Sequence, residues 1–232
     1  DALFMIDRRL TSAGRRLGTS SKRLWKKAVS LKNTISDGMS SLIEKRNLRR
    51  VAKIQKELGT LSTEFSENKI TKKKVSRFLT LSERLNGHAY KAHLNPLYEN
   101  QLTKFEGLFK RIQTLKDPLE RADKLKDLAV THFTDKKVMD EAITEWFQSD
   151  SGKKAVQDVM VGSLAGKKTR VDYIVVDVPE TFKKHGNIGA GIELDIDTKK
   201  IKAITTKLDK LKVVLQGDGK GGFKVLTAYP VK

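Results

Sequence analysis

The chain has 232 residues, 38% hydrophobic and 6% aromatic, which is room for one large or two modest domains around a core that is not rich. It has no cysteine, which excludes disulfides, thiolate metal sites and a cysteine nucleophile, and no apolar run approaches the roughly 18 residues of a membrane helix. Its 47 Lys and Arg against 28 Asp and Glu, a formal net charge of +19, exceed what solubility requires and point to an acidic partner: nucleic acid, an anionic membrane or an acidic protein.

The first residue is Asp1 rather than Met, as expected of a fragment or a processed product, and Asp1 to Asp7 have no signal-peptide pattern. The first fifty residues hold 13 Lys/Arg and 4 Asp/Glu, with basic residues such as Arg8, Arg9, Arg15, Arg16, Lys26 and Lys27 between Leu10, Leu17, Leu24 and Trp25. Such a basic, loosely amphipathic segment suits a membrane surface or nucleic acid, and Gly14, Gly18 and Gly38 argue against one long helix. Apolar stripes follow at helical spacing: Leu42, Ile43, Val51, Ile54 and Leu58, then Val75, Phe78, Leu79 and Leu85. Asn95-Pro96 is expected to open a helix through Leu102, Phe105, Phe109 and Ile112, which Asp117-Pro118 stops. Further helices carry Leu119 to Ala129, Val138 to Phe147 behind a Thr134 or Asp135 cap, and Val156 to Leu164 behind Asp150.

From Arg170 the period changes to two, and ten of the 16 glycines lie at or after Gly152. Strands are expected over Val171–Val178, around Ile192 and Leu194, and in a hairpin of Leu211–Gln216 with Phe223–Tyr229 across Gly217 to Gly222; Lys199 to Leu208 reads as either helix or strand. The fold class is therefore α+β: a basic helical domain over 1–148 and a small domain over 149–232, with a twisted antiparallel sheet packed on one or two helices.

Gly217-x-Gly219-x-x-Gly222 spells a dinucleotide fingerprint but is followed by a strand, so it reads as a hairpin turn. His88 and His93, five apart, do not share a helical face and read as surface histidines, as does His132. His185, after Lys183 and Lys184 and before Gly186, is expected in a flexible basic loop, where imidazole can exchange protons and the lysines can hold a phosphate. On the last strand, Phe223, Val225, Thr227 and Tyr229 are expected on one face, putting a hydroxyl and a phenol side by side. Asp177 with Asp197-Thr198-Lys199 weakly echoes a metal-dependent nuclease site.

The closing Lys224-Val225-Leu226-Thr227-Ala228-Tyr229-Pro230 resembles the final strand of the RNase toxin group that includes barnase, EndoU, colicin-tRNase and RelE-like domains, over about residues 150–232. These domains end many polymorphic bacterial toxins, contact-dependent inhibition proteins among them. The resemblance implies one or two helices before a four-stranded antiparallel sheet, and an endoribonuclease, acting on tRNA, that needs no metal or cofactor. The RNA 2′-hydroxyl attacks the adjacent phosphorus and leaves a 2′,3′-cyclic phosphate. His185 would move the proton, Lys184 with Lys183 and Arg170 would hold the phosphate, Thr227 would bond a nonbridging oxygen, and Tyr229 would stack on a base or position the phosphate. With one histidine in that region, the colicin-tRNase form is expected over the two-histidine EndoU form. The resemblance also implies an acidic immunity protein and a secreted or cell-surface parent polypeptide delivered into the cytoplasm of a target bacterium. Inner-membrane contact through the basic N-terminal region, with residues 1–148 serving translocation, and a host activating protein belong to the same picture. The competing expectations are a non-catalytic nucleic-acid-binding or phage structural protein, and a metal-dependent DNase using Asp177, Asp197 and Lys199.

Overall fold

The computed structural model describes residues 19–168 and 170–232, with side chains described for residue 30 and from residue 40 onward, apart from 172–175. Of the basic segment singled out above, Arg8 to Leu17 lie outside the described residues, and Lys26 and Lys27 are described as backbone alone. The chain forms two compact units, Asp1–Lys53 and Ile54–Lys232. Helix α1 (Thr19–Ser66) runs unbroken through Gly38, contrary to the expectation that glycine would divide it. One glycine in a helix interior costs about 1 kcal/mol, small beside a helix of 48 residues. The expected stripe also splits: in the first unit Leu42, Ile43 and Val51 are exposed, whereas in the second Ile54 and Leu58 are buried.

The second unit is α+β. Its elements are α2 (Lys72–Arg84), α3 (Ala89–His93), α4 (Tyr98–Gln113), α5 (Pro118–Lys126), β1 (Ala129–Phe133), α6 (Lys136–Gln148), α7 (Asp150–Leu164), β2 (Arg170–Asp177), α8 (Pro179–His185), β3 (Gly189–Leu194), β4 (Ile201–Ala203), β5 (Lys210–Gly217) and β6 (Phe223–Val231). Short polar side chains set the helix starts by taking the unpaired first-turn N–H groups. Thr71 caps α2, Asp117 caps α5 with Pro118 in its first turn, Asp135 caps α6, and Ser149, one residue before the expected Asp150, caps α7. Asn95 caps nothing. It takes a positive φ of 40°, donates its N–H to Phe133 O, and leaves α4 to begin at Tyr98.

Where one sheet was expected, the strands form two antiparallel three-stranded sheets, in the orders β1-β3-β4 and β2-β5-β6. Strand β1 was not expected: Ala129 ends the helical stripe from Leu119 but also opens a pentapeptide with the β-branched Val130 and Thr131, and pairing with β3 decides the outcome. The larger of two apolar clusters runs from Ile54 to Ala228 and includes the fully buried Trp146, Phe65, Phe78, Phe147 and Phe223, and a smaller one joins Phe105, Leu128, Val130 and Ile192. Among the described residues no helix is long and apolar enough to cross a membrane.

A β-bulge in the last strand re-aims its side chains. Leu215 faces Val225 but Val214 faces Thr227, so Leu226 has no partner of its own. Since paired residues share a face, Phe223, Val225 and Ala228 point to the core with Val213 and Leu215. Thr227 and Tyr229 turn to the opposite face with Val214 and Lys212, not to the face of Phe223 and Val225 expected from simple alternation.

Candidate active site

Of the six singled-out residues, Tyr229 lines a cleft between helices and strands. The cavity, about 480 Å³, is walled by α3, α4, β1 and β6, and its polar side chains are His88, His93, Lys104, Arg111, Thr131 and Tyr229. That volume falls in the range usual for small-ligand sites.

The short helix α3 carries the histidines and is tied down on three sides. Gly87 precedes it in close contact with β6: a Cβ there would lie 2.7 Å from Val225 O, so only glycine fits without a shift. The next N–H, of His88, donates to Leu226 O at the bulge (2.9 Å). Glu83 accepts from the N–H groups of Tyr90 (2.6 Å) and Lys91 (3.3 Å), capping the helix start, and the Tyr90 hydroxyl donates to Asp140 (2.5 Å). At the other end Leu94 bridges to Phe133 of β1.

His93 is the best-defined side chain of the cleft. Its Nδ1 lies 3.2 Å from Thr131 O. A carbonyl only accepts, so Nδ1 carries the proton and Nε2 keeps a free lone pair. Its ring stacks on Tyr229, with centroids 4.9 Å apart and planes at 25°. The Thr131 hydroxyl in turn donates to Pro230 O (2.5 Å), joining β1 to β6 beside the stack. Burial, and then the charge of Lys104, lower the His93 pKa from 6.5 to about 4, so the imidazole is neutral at physiological pH. Lys104 donates to Ala92 O (2.8 Å), and burial lowers its own pKa. The ring of His88 lies 6.1 Å from that of His93, and its pKa is lowered first by burial, then by Lys104, with Arg170 and Lys224 adding to the effect. His132, on β1, is shifted down by burial and Lys104. Thr227 is buried on the face it shares with Tyr229, and its Oγ1 has no hydrogen-bond partner, an exception to the rule for buried polar atoms.

The remaining expected residues lie elsewhere. His185 is not in a flexible loop: it is the last residue of α8, and Gly186 follows in the left-handed conformation (φ 68°) that ends the helix. Its Nε2 meets Glu141 at 2.7 Å, and Lys184 (3.0 Å) and Lys72 (2.7 Å) reach the same carboxylate. Those bonds, His185's first, hold the Glu141 pKa down at about 2. Lys183 pairs with Glu180 at 2.9 Å. None of the three lines the cleft. Arg170 begins β2 close enough to His88 to act on its charge. Asp177 ends β2 in one sheet, while Asp197 and Lys199 lie in the turn between β3 and β4 of the other. Among the described residues no group of three His, Asp or Glu is placed to hold a metal.

The sequence reading missed His88, His93, Lys104 and Arg111. Spacing along one helix was the wrong test for the histidines, because α3 has five residues and His88 sits before it as N-cap. The signal available was their placement on either side of Tyr90, within a run bounded by Gly87 and Pro96 that is too short for a core helix. No family model, no curated protein and no solved structure matches the chain.

Proposed function

We propose that the chain is a metal-independent endoribonuclease whose catalytic centre is the cleft of His93, Lys104 and Tyr229. The observation that carries the reading is the state of His93: neutral, oriented through Nδ1 by Thr131, and stacked on Tyr229 at the wall of a cationic cleft. Nε2 takes the proton of the RNA 2′-hydroxyl as that oxygen bonds to phosphorus. The bond from phosphorus to the 5′ oxygen breaks, and His88 supplies the proton to that oxygen. Lys104 stabilises the charge that builds on the phosphorane. The products are a 2′,3′-cyclic phosphate and a 5′-hydroxyl.

A phosphate in the cleft raises both histidine pKa values toward neutrality, because an anion favours imidazolium. This offsets the burial that leaves His93 a weak base in the free protein. In this assignment Tyr229 keeps the role implied by the RNase toxin group, Thr227 is buried outside the cleft lining, and His93, His88 and Lys104 replace His185, Lys183 and Lys184. Two histidines in one cleft suit the EndoU form better than the one-histidine form. A charge of +19 suits both an RNA substrate and an acidic immunity protein, and with them the role of a toxin delivered into bacteria.

Incubation of the purified chain with total bacterial RNA in EDTA, followed by end-group analysis, tests the reading. Discrete fragments, tRNA fragments first among them, with cyclic phosphate ends are expected. RNA bound but left intact would contradict it and favour a non-catalytic nucleic-acid-binding role.

A further inference from the structure

The cleft extends past the reacting groups along α4. Lys104, Gly107, Leu108 and Arg111 line it at spacings of three, one and three, which is a single helical face. Lys104 is turned toward α3 by its bond to Ala92 O, at the histidine end. Arg111 stands two turns further on, roughly 10 Å along the axis, and among the described residues no carboxylate forms an ion pair with it. Between these cations the wall is bare. Gly107 is exposed in mid-helix, and a Cβ added there meets nothing within 4 Å. Neither packing nor backbone conformation calls for glycine here, and helix propensity disfavours it. Leu108 beside it is 39% exposed, a flat apolar surface next to a free cation.

We propose that Gly107, Leu108 and Arg111 form a second nucleotide subsite, in which the base next to the scissile linkage lies on the Gly107–Leu108 shelf and Arg111 binds the next phosphate. Resting on the ribonuclease reading above, this makes the substrate a strand with at least two consecutive phosphates rather than an isolated dinucleotide. Glycine is used where backbone must approach a ligand closely, and Arg offers a planar fork matched to phosphate oxygens.

The test compares kcat/KM for dinucleoside monophosphates with that for the same compounds carrying a terminal 5′- or 3′-phosphate. In the unaltered protein one of the two added phosphates is expected to raise kcat/KM at least about tenfold, the scale of one charge-assisted phosphate contact. In Arg111→Ala the ratio falls to near one. Gly107→Leu is expected to raise KM with the melting temperature unchanged or higher. A ratio near one in the unaltered protein, or a ratio that survives Arg111→Ala, overturns the phosphate site. An unchanged KM in a folded Gly107→Leu protein overturns the shelf. Cleavage of every dinucleotide with no effect of the added phosphate defeats this subsite alone, whereas cleavage of no RNA at all defeats the ribonuclease reading and the subsite with it.

Discussion

At the scale of single residues, the chemistry of the cleft follows from what each polar atom is bonded to. His93 and His185 are the same residue type in opposite situations. His185 presents Nε2 to a carboxylate that also holds Lys72 and Lys184, so its reactive nitrogen is engaged. His93 spends Nδ1 on a backbone carbonyl and leaves Nε2 free. On the ribonuclease proposal, the depressed pKa of His93 has a direct consequence for rate. In the proposed mechanism the free base is the active form, and the folded protein holds its pKa at about 4 rather than 6.5, so lowering the pH from neutrality does not protonate it until near pH 4. The acid limb of kcat/KM, which reports the free enzyme, is therefore expected near pH 4, and that of kcat at higher pH because bound phosphate favours the imidazolium. A pH–rate profile with its kcat/KM limb at the ordinary histidine value would show that His93 is not the base.

At the scale of elements, the site depends on how β6 is held. Its hairpin with β5 is secured from α7 by one hydroxyl: Ser163 Oγ accepts from the N–H groups of Gly219 (3.0 Å) and Gly221 (3.1 Å) and donates to Gly222 O (2.7 Å). Ser163→Ala leaves two turn N–H groups without that partner and is expected to cost about 2 kcal/mol or more, measured as a lower urea midpoint. An unchanged midpoint would show that the turn closes without it. The hairpin itself was legible in the sequence, since two β-branched runs flank a glycine-rich hexapeptide, and so was Asp135 as a cap. The bulge at Leu226 was not legible. Strict alternation along β6 places Thr227 with Val225, and only the register against β5, set by tertiary pairing, shows that the two face opposite ways. Strand β1 escaped for a similar reason, because its identity as a strand comes from β3, some 60 residues later.

At the scale of the whole molecule, the α+β class and the change in period near Arg170 could be read from the chain, while the composition of the site could not. The cleft draws on α3, α4, β1 and β6, from His88 to Tyr229, and no local spacing brings such distant residues together. The basic run Lys183-Lys184-His185 stood out in the sequence because its charges are adjacent, yet Glu141 and Glu180, the first of them 42 residues upstream of Lys183, neutralise much of that run in the fold. Lys104 carried no such local mark. The most direct measurement is kcat/KM for RNA cleavage in EDTA by His93→Ala beside His185→Ala, with folding of each checked by circular dichroism. A loss of roughly 10²–10⁴-fold, the usual worth of a general base, is expected in His93→Ala, with near-normal activity in His185→Ala. Full activity in His93→Ala, or loss confined to His185→Ala, would contradict the placement of the catalytic centre in this cleft.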